Sequence, residues 1–298
     1  MIVQKSFSGE RNSQAGTLYI VGTPIGNLED MTYRAVRTLR EADLIAAEDT
    51  RQTRKLLTHF EISTRLVSYH EHNKHNSGPE LIRLLQAGQS IALVSDAGMP
   101  AISDPGADLV RDAISQQIPV VPIPGPNAAL SALVVSGQST ERFLFAGFPP
   151  RDRKPLQAFL TELQYEQATV LLYESPHRLV KTLHAVREVW GNRELALVRE
   201  LTKRHEEVAR GTVEEALEFL AEHPPQGEYC IVIGGAAAGD RPDQAEQAFW
   251  KDWTLTRHVA YYEEQSGDRK EAMKKAAADR RMSKRDVYSR VLEEQEDT

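Results

Sequence analysis

The chain has 298 residues, 41% of them apolar, and a formal net charge of −7. That length is comfortable for two domains, and the apolar share supports a full core. No apolar run approaches the roughly 20 residues of a membrane-spanning helix, the polar start from Met1 to Gly16 lacks the apolar core of a secretory signal, and the single cysteine, Cys230, excludes an internal disulfide. A cytoplasmic protein with no membrane partner is expected, with residues 1–15 as a flexible N-terminus.

From there the spacing predicts strands at 18–22, 43–47, 65–69, 90–95 and 119–123, alternating with helices at 32–41, 50–59, 79–87 and 106–116. Such alternation implies a parallel sheet covered by helices on both faces, and so an α/β domain over 16–125. Three of its strands run into Gly- and Pro-rich loops: Gly22-Thr-Pro-Ile-Gly-Asn27, Ser95-Asp96 through Asp104-Pro-Gly106, and Pro124-Gly-Pro-Asn127. Loops at the carboxyl ends of buried parallel strands are where α/β proteins hold small ligands.

Asn127 can cap an Ala- and Leu-rich helix over 128–136. Strands at 143–147, 168–173, 194–199, 205–209 and 228–234 follow, with helices at 154–164, 176–189 and 213–221. Fewer crossover helices suggest a mixed sheet, in a second α/β domain over 126–238. The Gly- and Ala-rich piece 234–240 reads as a linker. Helices over 243–265 and 269–294 then form a small basic unit, 239–298. Between Arg269 and Arg290 nine Lys/Arg face three acids, a local +6 that leaves −13 for the rest. A basic segment on an acidic body suits a phosphate backbone; a solvated helix face is the plain alternative.

The motifs narrow the chemistry. Gly22–Asn27 is neither a G-x-G-x-x-G fingerprint nor a Walker A loop, and Pro24 removes an amide donor, which disfavours a dinucleotide or NTP. Glu48-Asp-Thr-Arg51 closes a strand with two acids and a cation: Asp49 can cap the next helix while Glu48 and Arg51 face a cleft. His70-Glu-His-Asn-Lys-His75 matches no common zinc spacing, so no metal is expected and a substrate-facing loop with Asn73 is preferred. Tyr173-Glu-Ser-Pro-His-Arg178 and Arg199-Glu-Leu-Thr-Lys203 close two further strands, as cleft-facing ends or as ordinary ion-paired surface.

Seven strings together carry a resemblance: LYIVGTPIGNLEDMT from Leu18, AAEDTR from Ala46, ALVSDAGMPAISDPG from Ala92, VPIPGPNAALSAL from Val121, FAGFPPR from Phe145, LYESPHRL from Leu172 and VRELTKRHEEVARG from Val198. In this order they resemble the bacterial small-subunit rRNA methyltransferase I family, 2′-O-ribose methyltransferases of the tetrapyrrole-methylase (class III) fold. The likeness spans about residues 16 to 235 and, more weakly, the basic C-terminal unit. One departure is Met99, where that family more often has a small polar residue such as Thr.

The resemblance implies two α/β domains with S-adenosylmethionine in the cleft between them, a homodimer, and a cytidine of the 16S rRNA decoding centre as substrate in the small ribosomal subunit. By motif position it assigns the cofactor to Pro24, Asp96, Met99, Ile102, Asn127, Ala128, Tyr173, Glu174, Gly211 and Thr212. A 2′-hydroxyl is a poor nucleophile until its proton leaves, so a general base would help. Glu48 is the first candidate, with Lys203, His70 and Glu200 behind it. Asp49, Arg51, Asn73, Arg178 and Arg199 are candidate substrate contacts, the arginines as phosphate or ribose anchors. Two other readings stand beside this one. A same-fold methyltransferase acting on a tetrapyrrole or other small molecule would need no basic tail. A non-catalytic RNA-binding protein would keep the tail without a complete cofactor cleft.

Overall fold

The computed structural model describes residues 4, 15–237, 239, 250, 252–280 and 282–296. Most of the expected N-terminal lead-in, and residues 243–249 of the expected helix, lie outside the described residues. The chain divides into two compact units, Met1–Gly235 and Ala236–Thr298.

The first unit holds two five-stranded sheets. In the first, β1 (Leu18–Val21), β2 (Leu44–Ala47), β3 (Leu66–Ser68), β4 (Ile91–Val94) and β5 (Val120–Ile123) are all parallel, in the order β3-β2-β4-β1-β5. Helices α1 (Tyr33–Glu41), α2 (Thr50–His59), α3 (Lys74–Gln86) and α4 (Ala107–Ser115) make the crossovers. Successive strand residues enter opposite cores, Leu44, Ala46, Ile91 and Leu93 on one face and Ile45, Ala47, Ala92 and Val94 on the other. Burial on both faces is why these strands read as unbroken apolar runs.

After α5 (Ala128–Ser136) the second sheet takes the order β6-β7-β10-β8-β9, from β6 (Phe143–Gly147), β7 (Thr169–Glu174), β8 (Glu194–Arg199), β9 (Glu207–Thr212) and β10 (Tyr229–Ile233). Only β6 and β7 pair in parallel; β10 runs antiparallel between β7 and β8, so the sheet is mixed as expected. Helices α6 (Arg153–Glu162), α7 (Pro176–Trp190) and α8 (Val213–Glu222) complete it. Leu171, Ala196, Val198, Cys230 and Val232 pack beneath Ala129, Ala132 and Leu133 of α5.

The second unit is helical: α9 (Leu255–Ser266), α10 (Arg269–Asp279) and α11 (Lys284–Glu296) around Leu255, Val259, Ala272, Ala276, Val287 and Val291. Three expectations are corrected. Helix α3 begins at Lys74, five residues before the expected start, because the turn held by Asn73 opens it and Pro79 sits inside it. Strand β9 runs to Thr212, whose hydroxyl then caps α8. The expected helix 269–294 is two helices, with the Ser283 hydroxyl accepting from the Asp286 N–H at the restart, and α9 begins only at Leu255 under a Thr254 cap.

Candidate functional site

Sheet direction builds the site. The carboxyl ends of β1, β4 and β5 meet the edge of the second sheet at which β6, β7 and β8 end and β10 begins; there Tyr229 pairs with both Glu174 and Arg199. Between them lies a cavity of about 480 Å³, lined by Asp96, Met99, Ile102 and Asp104 after β4, Asn127 and Ala128 after β5, Phe148 after β6, Tyr173 and Glu174 on β7, and Val198, Glu200 and Lys203 at β8. The β1 and β5 loops touch at Gly22 and Gly125: a Cβ on Gly22 would stand 2.8 Å from both the Gly125 Cα and the Met99 sulfur. Met99 therefore packs under the β1 loop as well as lining the cavity.

The floor of the cavity is acidic. The Asp49 backbone N–H donates to Asp96 Oδ1 at 3.1 Å, which ties the ends of β2 and β4 together. Glu48, next to Asp49, does not line the cavity itself; its carboxylate accepts a hydrogen bond from the Asp96 backbone, and its pKa is raised, first by burial and then by the charges of Asp104 and Asp96. Asp104 is raised too, first by burial and then by Asp96, with a hydrogen bond from Ser95 as a partial offset. Asp49 instead caps α2: it accepts from Arg51 through backbone and side chain, which holds its carboxyl down at about 2. On the opposite wall Tyr173 accepts a hydrogen bond from the Ala129 N–H at 3.0 Å, and burial pushes its phenol up to about 12.

The structure brings Asp96, Met99, Ile102, Asn127, Ala128, Tyr173 and Glu174 to the cavity. Glu174 spends its carboxylate locally, accepting from the Ser175 N–H and the Thr182 hydroxyl and pairing with Arg178. Pro24 lies in an adjoining cavity of about 350 Å³ that shares the Asp96 wall. Gly211 and Thr212 are not at the site: β9 runs antiparallel to β8, so Gly211 pairs with Leu195 and Thr212 with Glu194, at the far end of the sheet.

Two candidate bases are weakened by their neighbours. Burial alone would lower Lys203, but hydrogen bonds to Glu228 and Glu200 at 2.8 and 2.9 Å outweigh it and hold an ammonium. Burial likewise opposes the Lys203 and Glu228 contacts that lower Glu200, and the contacts win. His70 and Asn73 form a closed turn away from the cavity, the Asn73 amide bridging the His70 N–H and the Ser68 carbonyl. Arg178 donates to the Pro149 and Pro150 carbonyls, and Arg199 to the Gln226 carbonyl, so both serve the fold. Arg51 stays mostly exposed beside Asp49. Asp104, Phe148, Glu228 and Cys230 also line the cavity though none was a candidate site residue; Asp104 and Phe148 stood in quoted strings, and nothing in the sequence tied Glu228 or Cys230 to a site.

Comparisons with known proteins agree with this architecture. Residues 17–217 match the family model of tetrapyrrole (corrin/porphyrin) methylases. A crystal structure of diphthine synthase superposes with a TM-score of 0.59 at 15% identity, covering 74% of this chain and 90% of that one. A cobalt precorrin-4 methyltransferase gives 0.55 at 18% identity, covering 73% and 94%. The two sheets and the cavity at their edges thus define a class III methyltransferase fold. Proteins named ribosomal RNA small subunit methyltransferase I are similar along nearly the whole chain. That of Halalkalibacterium halodurans is 51% identical over 97% of this chain and 98% of its own length; that of Bacillus subtilis is 50% identical over 96% of each. The chain belongs to this family of small-subunit rRNA methyltransferases, within the tetrapyrrole methylases.

Its cofactor is S-adenosylmethionine, and the cavity fits that molecule. Its volume lies within the usual range for small-molecule sites, about 300–1,000 Å³. Asp96 and Asp104 offer negative charge to a cationic ligand, while Tyr173, Met99 and Ile102 offer apolar surface.

Proposed function

We propose that the chain methylates the 2′-hydroxyl of a decoding-centre cytidine of 16S rRNA in the small ribosomal subunit. The full-length likeness to relatives of that name carries the reading, since it spans the cavity and the basic helical unit alike. Asp96, Met99, Ile102, Asn127, Ala128 and Tyr173 would hold the cofactor. When bound, S-adenosylmethionine supplies a methyl group already activated on a sulfonium, so positioning can provide much of the rate.

What the chain must add is a home for the hydroxyl proton. Glu48 suits that role: its raised pKa makes it a stronger base than an ordinary carboxylate, and it is paired with no cation among the described residues. Lys203, held as an ammonium between two carboxylates, is not that base. Arg51, exposed although paired with Asp49, is a cation near the acidic floor that could meet a phosphate. The reading places the enzyme in the cytoplasm with its substrate.

Transfer of a labelled methyl from S-adenosylmethionine to small subunits from a strain lacking this protein tests the reading. RNA should take the label with chelator present; label entering a tetrapyrrole and not RNA would overturn it. We also propose a homodimer, supported by the exposed Leu130, Val134 and Val135 on α5. Light scattering at micromolar concentration should exceed the 33.4 kDa monomer mass; the monomer mass itself would refute pairing.

A further inference from the structure

One rim of the cavity carries an exposed aromatic ring followed by a run of cations. Phe148 lines the cavity yet keeps 58% of its surface exposed. A bulge puts it there: β6 pairs Phe145 with Leu171 and Gly147 with Leu172, so the intervening residue has no partner. Gly147 then turns with φ +68°, a conformation that a side chain would strain. Bulges of this kind re-aim side chains beside functional sites.

The turned loop is also held still. Arg178 donates to the carbonyls of Pro149 and Pro150 at 2.6 and 3.0 Å, and Lys181 to that of Arg151 at 3.0 Å. The Phe148 ring meets Tyr173 edge-on at 5.4 Å, and Tyr173 is fixed by Ala129. A large apolar ring is thus kept in water by a rigid support, where a mobile loop would let it fold inward. Next in the chain come Arg151, Arg153 and Lys154, all exposed and none in an ion pair among the described residues, with Asp152 as the single acid of the run.

We propose that this loop is the nucleotide-docking rim of the site: Phe148 stacks on the unpaired target base of single-stranded RNA, and Arg151, Arg153 and Lys154 hold the flanking phosphates. A planar ring beside cations is the combination that binds single strands, the ring tolerating any base and the cations following the backbone. The inference rests on the rRNA reading above and names a contact surface made by residues of the first unit.

The test compares wild type with Phe148→Ala, Phe148→Trp and Arg151→Glu/Lys154→Glu. Each is assayed for S-adenosylmethionine affinity by calorimetry, and for binding and single-turnover methylation of unmethylated small subunits and of naked 16S rRNA. Phe148→Ala should lose about ten- to a hundredfold in RNA binding or transfer, the range of one base stack. Phe148→Trp should recover most of that, and cofactor affinity in Phe148→Ala should fall far less than RNA binding or transfer. The charge reversals should flatten the salt dependence of RNA binding by about 0.7 in log-log slope per lost contact. A loss of cofactor affinity in Phe148→Ala matching the loss of transfer would overturn the proposal by making the ring a cofactor contact, and full RNA binding and transfer in both Phe148→Ala and Arg151→Glu/Lys154→Glu would overturn it outright. Absence of RNA methylation by wild type would instead remove the reading beneath it.

Discussion

The Asp49 backbone N–H donates to Asp96 Oδ1 across 3.1 Å, so the ends of two neighbouring strands, β2 and β4, are joined by the carboxylate that also lines the cavity. Asp96 therefore has two tasks: it walls the cofactor cavity and it holds the Glu48-Asp49 corner in place.

The two carboxylates should separate binding from chemistry. Asp96→Ala removes a charged hydrogen-bond acceptor, commonly worth about 1.5–3 kcal/mol, and should weaken S-adenosylmethionine about ten- to a hundredfold in calorimetry. Glu48→Gln keeps the shape and should leave that affinity nearly unchanged, while single-turnover transfer falls by about 10²–10⁴. A Glu48→Gln enzyme at full rate would remove Glu48 as the base.

Glu48 also predicts a pH profile. Only its ionised form accepts a proton, and burial together with Asp104 and Asp96 raises its pKa. Single-turnover rate should climb with pH to a plateau, with its inflection above the ordinary carboxylate value, and Asp104→Asn should move that inflection down. The same shift has a stability cost. A carboxyl whose folded pKa is raised contributes stability at acidic pH that is lost as pH rises through the folded value. Glu48→Gln should thus raise the melting temperature at neutral pH, with the gain vanishing on acidification; a lowered neutral-pH melting temperature would contradict this.

The helical unit carries its own titration. His258 is fully buried, stacks on Trp250, accepts from Arg280 Nε at Nδ1 and meets Asp279 at Nε2. An accepting Nδ1 marks the neutral ring. Burial and then Arg280 lower its pKa, against the pull of Asp279. A lowered histidine pKa gives stability above the unfolded value, about 6.5, that is lost as pH falls below it. In a Trp190→Phe background, Trp250 and Trp253 fluorescence under denaturant should report loosening as pH falls from about 8 to 5. His258→Gln should flatten that response; an unchanged one would refute the histidine's part in it.

Exposed cations of this unit, among them Lys270, Lys274, Lys275 and Arg285, should serve RNA and not cofactor. Reversing three of them to Glu should flatten the salt slope of RNA binding by about 0.7–0.9 per contact and leave S-adenosylmethionine affinity alone. Normal RNA binding and methylation by that variant would reduce the basic segment to a solvated helix face.

Much of this was legible in the sequence because of how parallel sheets are built. The strands are short apolar runs, stopped by Gly22, Glu48, Ser95-Asp96 and Pro124, so β1, β2, β4 and β5 and the loops after them could be read directly. Strand direction left no such trace. The resemblance assigns Gly211 and Thr212 to the cofactor by motif position, but antiparallel pairing carries them to the other edge of the sheet. Arg178 and Arg199 looked like anchors because their acceptors are backbone carbonyls 27 to 29 residues away. Phe148 was visible as a residue, but its exposure comes from a bulge that no periodicity announces.

The most direct test of the central claim is mass mapping of 16S rRNA from a strain lacking this protein, before and after treatment of its small subunits with purified protein and S-adenosylmethionine. The account predicts one decoding-centre cytidine that lacks a ribose methyl in the deletion strain and regains it in vitro, with Glu48→Gln restoring it far more slowly. Identical maps with and without the protein, or a restored methyl on the base in place of the ribose, would contradict it.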